Sequence, residues 1–334
     1  MEQIAIAGTG LKTSRIGLGS WAMGGWMWGG SDEQEAVRTI HAGLEQGINL
    51  IDTAPVYGFG KAEEIVGRAL GEYGRREEVI IATKAGLEWH DGKISRNSSR
   101  QRILGEVEDS LTRLRTSYID LYQIHWPDPL VPIEETAEVM ALLFRQGKIR
   151  AIGVSNYSPQ QMERFRGVTP LHATQPPYNL FEREIDRDVL PYAREAQLGV
   201  LAYGALCRGL LSGGMHANRQ FHGDDLRRID PKFQPPRYAQ YLKAVDRLDR
   251  FAQLNYGKRV LELAIRWLLD QPGVSVALWG ARKTNQLTAV AETMGWALDR
   301  GAFDAIDRII EDCVRDPVGP EFMAPPAEAP SPFV

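Results

Sequence analysis

Residues 49–67 read NLIDTAPVYGFGKAEEIVG. The stretch opens as an apolar strand ending on Asp52, turns through glycines beside Tyr57, and from Ala62 carries apolar residues three and four apart. That change of hydrophobic pattern marks a strand, a loop and a helix packed on one face. The unit recurs. After a short β-rich N-terminal segment (Gln3–Ala7, a Gly-Thr-Gly turn, Leu11–Thr13), strands are expected at Ile16–Gly19, Asn49–Asp52, Val79–Thr83 and Asp120–His125. Four more follow at Ala151–Ser155, Ala173–Gln175, Val200–Tyr203 and Val274–Trp279. Helical patterns lie between them at Glu33–Gln46, Ala62–Leu70, Arg100–Leu114, Ile133–Gln146, Pro159–Phe165, Ile185–Gln197, Val260–Leu269 and Thr284–Met294. Ser31 or Asp32 suits the cap of the first helix and Ser158-Pro159 that of the fifth, while Gly47 and Gly147 suit helix ends.

Eight strand–helix units predict an α/β fold, a (β/α)8 TIM barrel with a short N-terminal β-hairpin and its active site at the strands' carboxyl ends. An open doubly wound sheet shows the same alternation but gathers its functional groups at one switch point. Here polar residues end strands two through seven, which draws the site from nearly the whole circle of a barrel. The expected organisation is one barrel domain, residues 1–316, and a tail, residues 317–334, too rich in proline for a regular helix. Phe322, Met323 and Phe333 favour at least partial docking of that tail. The long connections Gly86–Asn97 and Gly204 to about Arg237 should wall or cover the mouth.

A net charge of −4 over 334 residues argues against a nucleic-acid or membrane partner. No apolar run approaches the roughly 20 residues that span a bilayer. The opening MEQIAIAGTG has neither a basic region nor an apolar core, so export is not expected. Cys207 and Cys313 match no metal-ligand spacing, and a reducing cytoplasm is the expected setting.

Four side chains carry the chemistry: Asp52, Tyr57, Lys84 after VIIAT, and His125 after IDLYQI. Taken singly they read as a helix cap, a core ring, a solvated cation and a core histidine. Brought to one mouth, they are what carbonyl reduction needs. A phenol donates a proton to a carbonyl oxygen best when its pKa is lowered, and a neighbouring ammonium does that. Gly17-Leu18-Gly19-Ser20-Trp21-Ala22 imitates a dinucleotide fingerprint, but GGWMWGG intervenes where a helix should open directly.

DTAPVYGFGKAEEIVG resembles the signature of the aldo-keto reductase superfamily, and IATKAG, LYQIHWPD, IGVSNYS, AYGALCRGLLSG and WGARKTNQL follow in that family's order. The resemblance runs from about Ile4 to Trp296. WAMGGWMWGG and EFMAPP resemble a bacterial branch that holds glycerol- and sugar-related oxidoreductases. It implies an NADP(H)-dependent enzyme that interconverts small aldehydes or ketones, including sugar- or polyol-derived ones, with alcohols. Tyr57 would be the acid in reduction and the base in oxidation, with its pKa lowered by Lys84. Asp52 would hold Lys84, and His125 would orient the carbonyl and share in proton transfer. The hydride would come from a nicotinamide bound without a Rossmann domain.

Around that cofactor, Ser155, Asn156 and Gln175 offer hydrogen bonds to a carboxamide, and Tyr203 offers a ring to stack on the nicotinamide. Gly204, Ala205, Leu206, Cys207, Arg208 and Gly209 read as a pyrophosphate clamp, with Arg208 for charge. Gly280, Ala281, Arg282 and Lys283 open the last expected helix, where amides and two cations suit a phosphate and favour NADP(H), with NAD(H) bound more weakly. Gly19, Ser20, Trp21, Asp52 and Gln286 complete the expected cofactor contacts. Cys207 reads as a small buried residue, since nothing nearby activates it. Relatives often carry Glu-Asn where this chain has Ala289 and Val290, so adenine would be held differently. Trp21, Trp28, Trp89 and Trp126 are the expected aromatic walls of a pocket for a small carbonyl or alcohol. No metal site is expected. Two rival functions fit less well: a lyase forming a Schiff base on Lys84, and a cofactor-binding regulatory protein resembling potassium-channel β subunits.

Overall fold

A computed structural model describes residues 1–327. Strands β1 (Gln3–Ala5) and β2 (Lys12–Ser14) pair antiparallel as the expected hairpin. Ile4 and Leu11 pack on Leu50, Ile80, Leu121 and Leu201, which plugs the barrel's amino end with apolar surface. The barrel strands begin with β3 (Ile16–Gly19), β4 (Leu50–Asp52) and β5 (Ile80–Ala85). The connection after β5 is itself a hairpin, β6 (Leu87–His90) with β7 (Lys93–Arg96). Then come β8 (Leu121–Ile124), β9 (Ile152–Ser155), β10 (Ala173–Gln175), β11 (Gly199–Ala202) and β12 (Val274–Gly280). Excluding the two hairpins, the eight strands close into a parallel barrel, with β12 returning to β3 through pairs from Ala277–Ile16 to Gly280–Gly19. Gly17 leaves room inside it: a Cβ there would lie 2.5 Å from a Leu50 methyl and 2.8 Å from a Leu278 methyl, so both side chains would have to shift.

The helices are α1 (Glu33–Glu45), α2 (Lys61–Tyr73), α3 (Arg100–Leu114), α4 (Ile133–Arg145) and α5 (Pro159–Arg166), then α6 (Val189–Glu195), α7 (Arg237–Tyr256), α8 (Val260–Leu269) and α9 (Arg300–Cys313). Asp32, not Ser31, caps α1 by accepting the Glu35 amide, and Ser158 with Gln161 forms a capping box on α5.

Several expectations differ from the fold. Thr284–Met294 is two short 3₁₀ turns, Thr284–Leu287 and Ala291–Thr293, rather than one helix. Side chains already satisfy its first amides: Gln286 Oε1 accepts from Arg282 and Lys283, and Glu35 accepts from Thr284. The helix expected from Ile185 starts at Val189, after a 3₁₀ turn at Glu184–Asp186, and holds Pro191 in its first turn where no amide is missed. Helices α7 and α9 were not anticipated. Both are rich in charge and pack together, α7 burying Tyr238, Tyr241, Val245 and Leu248 and α9 burying Ala302, Ile306 and Cys313 with Phe303, Ile309 and Ile310 beside them. The tail docks as far as it is described: Lys232 Nζ donates to Gly319 O at 3.0 Å, and the Arg96 amide donates to Pro326 O. Phe333 lies outside the described residues. Among the described residues no helix is long and apolar enough to cross a membrane.

Candidate active site

Parallel register brings the polar residues together. Asp52 pairs with Ala82 on β5, Lys84 with Gln123 on β8, and Gln175 with Ser155, so inward side chains of neighbouring strands meet at the carboxyl ends. Lys84, 1% exposed, donates from Nζ to Asp52 Oδ1 at 2.6 Å, to Thr53 O at 3.0 Å and to Tyr57 Oη at 3.3 Å. Gln175 Nε2 donates to the other Asp52 oxygen at 2.7 Å. Gln123 lies against both, 3.5 Å from Asp52 Oδ2 and 3.3 Å from Gln175 Nε2. Sequence reasoning passed over Gln123, although it stands two residues before His125 in an apolar strand, which places it on the inward face.

Tyr57 is held from two sides. Its ring stacks on Trp21 at 5.8 Å and 23°, and meets the edge of His125 at 5.8 Å and 82°. Gly24 explains the glycines after Trp21: a Cβ there would lie 2.6 Å from Tyr57 O, so this loop presses directly on the turn that presents the phenol. Burial and the Asp52 carboxylate push the Tyr57 phenol well above its ordinary pKa. The expected lowering by Lys84 is opposed here chiefly by burial, with the Asp52 carboxylate adding to it. Burial, aided by Lys84, holds the His125 imidazole well below its usual value, so it is neutral near pH 7. Burial also lowers Lys84, against the pull of Asp52.

Two cavities meet at this phenol. The larger, 410 Å³, runs past Asp52 towards Gly280 and Arg282; the smaller, 270 Å³, is walled by Trp21, Trp126 and His125. Trp21, Tyr57, Tyr203 and Met323 line both. Residues 15–311 match the pattern that describes the Aldo/keto reductase family. The chain belongs to this family. It is 60% identical over 326 residues, 98% of each chain, to the aldo-keto reductase YhdN of Bacillus subtilis. An NADH-specific methylglyoxal reductase of Escherichia coli is 35% identical, covering 86% of this chain and 91% of its own. The structure of a glycerol dehydrogenase from Gluconobacter oxydans superposes with a TM-score of 0.87 at 53% identity, over 96% of this chain and 99% of that one.

In this aldo-keto reductase most expected residues reach one cavity or the other. The larger is lined by Gly19, Ser20, Trp21, Asp52, Tyr203, Gly204, Ala205, Leu206 and Gly209, and at its far end by Gly280, Ala281, Arg282 and Gln286. Ser155, Asn156, Gln175 and Trp126 line the smaller. Trp28, expected at the substrate, lines the larger cavity instead. Trp89 lines neither and packs on Phe59. Lys283 is exposed and lines neither, and the Cys207 thiol is buried in the core, its pKa pushed up to about 12 by burial. Arg208 touches the cavity, but its guanidinium is buried in ion pairs with Glu182 and Asp230. Its charge is a structural tie, so the expected clamp is one of backbone and glycines. The helix-terminal amides expected for a phosphate are likewise engaged by Gln286.

Cations missing from the sequence reading take their place. Arg219 and Arg227, both from the long connection after β11, line the larger cavity with Arg282. Burial and these two neighbours lower the Arg282 pKa, against the pull of Asp225, which holds Arg227 in a two-pronged ion pair. An anion among them would relieve that repulsion. Ser20 Oγ, Trp21 Nε1 and Trp28 Nε1 are buried without a hydrogen-bond partner, so the wall holds polar groups for a ligand to satisfy. Among the described residues no cluster of three or more His, Cys, Asp or Glu could hold a metal ion.

Proposed function

We propose that this aldo-keto reductase is an NADP(H)-dependent, cytoplasmic oxidoreductase that interconverts small aldehydes or ketones and alcohols, with Tyr57 as proton donor in reduction and acceptor in oxidation. The observation that carries the reading is the Tyr57 Oη at 3.3 Å from the buried Lys84 ammonium, at the junction of the two cavities. The larger cavity fits a dinucleotide, with the Arg219 and Arg282 guanidiniums suited to phosphate and its orphaned donors suited to a polar ligand. When bound there, the nicotinamide supplies or accepts the hydride. Asp52 fixes Lys84 through a 2.6 Å contact, and Lys84 fixes the phenol. Tyr57, protonated at neutral pH, gives its proton to the carbonyl oxygen. His125, neutral, donates an N–H to the same oxygen and aligns it.

Ser155, Asn156, Gln175 and Tyr203 already bond one another: Ser155 Oγ donates to Gln175 O, and Tyr203 Oη to Asn156 Oδ1 at 2.9 Å. A carboxamide would exchange with these bonds at little net cost. The Arg219 and Arg282 guanidiniums support NADP(H). The NADH-specific relative supports NAD(H) as a weaker second cofactor. The glycerol dehydrogenase and methylglyoxal reductase among the relatives support a small carbonyl or alcohol substrate. A steady-state screen of small aldehydes, ketones and polyols with both reduced and both oxidised cofactors tests the reading. Absence of turnover with all of them sinks it. The Schiff-base rival loses ground because Lys84 is 1% exposed and ion-paired, which disfavours the free amine that such chemistry needs.

A further inference from the structure

The smaller cavity keeps its polar groups on its floor. Tyr57, His125, Asn156 and Gln175 lie there, whereas its sides are Trp21, Trp26, Trp126, Met27, Phe322 and Met323. Among the described residues that line it, none is Asp, Glu, Lys or Arg. Phe322 and Met323 come from the tail, which crosses the mouth between two anchors. At one, Lys232 Nζ, itself ion-paired to Glu182 at 2.8 Å, donates to Gly319 O. At the other stands Arg96, the last residue of β7. Its amide donates to Pro326 O at 3.0 Å, its Nε to Pro325 O at 2.9 Å and its Nη1 to Pro127 O at 2.7 Å. Its guanidinium also lies 5.4 Å from the centre of the Trp126 ring. Prolines have no amide to pair with a neighbouring strand, so the donors that fix this part of the tail come from Arg96. One side chain thus ties the β6–β7 hairpin, which lines the cavity with Leu87 and Ile94, to the loop that carries Trp126 and to the tail that carries Phe322 and Met323; Trp21 and Trp26 complete the wall from the loop after β3.

We propose that Arg96 is a positioning residue that holds this wall across the mouth, and that the wall selects carbonyl compounds bearing an apolar, ring-sized substituent over polyhydroxylated ones. A hydroxyl placed against Trp126, Phe322 and Met323 would lose its water without gaining a partner, whereas an apolar ring loses nothing there. The inference rests on the reductase reading for its substrate, and the test separates the two. Wild type, Arg96→Ala, Arg96→Lys and Phe322→Ala are assayed with benzaldehyde and with glyceraldehyde under saturating reduced cofactor. Wild type should favour benzaldehyde in kcat/KM. Arg96→Ala should raise KM for benzaldehyde roughly ten- to hundredfold, the range expected when part of an apolar pocket is lost. Its kcat, and its KM for glyceraldehyde, should stay close to wild type. Arg96→Lys should recover part of the loss, since an ammonium offers donors without the planar fork. Phe322→Ala should reproduce the benzaldehyde defect and stands in if Arg96→Ala fails to fold. Equal rises in KM for both aldehydes, or a wild-type preference for glyceraldehyde, would overturn the proposal. If wild type turns over neither aldehyde but turns over others of the wider screen, the substrate preference is overturned; if it turns over none of them, the reductase reading fails. The wall is then read by benzamide quenching of tryptophan fluorescence: weaker binding to Arg96→Ala supports it and unchanged binding refutes it.

Discussion

Replacing Lys84 with methionine keeps most of the side chain's volume and removes its charge. Asp52, 3% exposed, would then keep its bonds from Gln175 and, at 3.5 Å, from Gln123, but no longer touch a cation at 2.6 Å. Removing one partner of a buried ion pair costs about 3–5 kcal/mol, because a charge stays buried without compensation. The neighbouring phenol feels the same change. Asp52 already pushes Tyr57 upward, and without Lys84 that push is unopposed. Residual alcohol oxidation, which needs the phenolate, should therefore shift to more alkaline pH, and reduction should fall because the proton is held more tightly. Urea unfolding and pH–rate profiles of Lys84→Met read both effects. The double variant Asp52→Asn, Lys84→Met should regain stability without regaining activity, since a neutral amide has no buried charge to compensate. An unchanged pH profile in Lys84→Met would refute the idea that the pair tunes Tyr57.

Tyr57→Phe removes the proton donor alone, so turnover should drop about 10²–10⁴-fold while cofactor quenching of tryptophan fluorescence persists; near-normal turnover would reject the mechanism. With Tyr57 raised and His125 lowered, both groups keep one protonation state across neutral pH. Reduction should accordingly be flat from pH 6 to 8, by the usual acid–base reasoning, and oxidation should climb towards alkaline pH as the phenol begins to ionise; a bell centred near neutrality in reduction would contradict these assignments. Arg282→Ala should weaken NADPH by roughly 1.5–3 kcal/mol, the worth of a charge-assisted bond, or about ten- to a hundredfold. NADH should suffer less, through the loosened bonds from Arg282 to Trp28 O and Gly30 O. Equal losses in titrations of both cofactors would mean that Arg282 does not read the 2′-phosphate.

The barrel was legible because each strand and its helix write their burial locally. A short apolar run followed by a period near 3.6 identifies each unit, and Asp52, Lys84 and His125 are conspicuous as polar residues at the ends of such runs. Strand positions accordingly agree with the structure to within a residue or two. Helix α7 escaped because its buried residues are spread among charges and are fixed by packing on α9, a contact between residues far apart in sequence; α9 was legible, since Ala302, Phe303, Ile306, Ile309, Ile310 and Cys313 stand three and four apart on one face.

The site divides in the same way. Sequence alone determined which chemical groups the mouth contains, since periodicity dictates which side chains point inward. Tertiary structure decided what those groups are able to do. Arg208 carries the right charge in the right motif, yet Glu182 and Asp230, 26 and 22 residues away, bury it in ion pairs. Arg219 and Arg227 carry no motif, yet the fold of the connection after β11 sets them beside Arg282. Lys84 stands beside Tyr57 as its strand-end position suggested, but the sign of the phenol's shift depends on burial and on the Asp52 carboxylate. A charge acts through distance and dielectric, and both are properties of the folded chain, fixed by which distant segments happen to close around it.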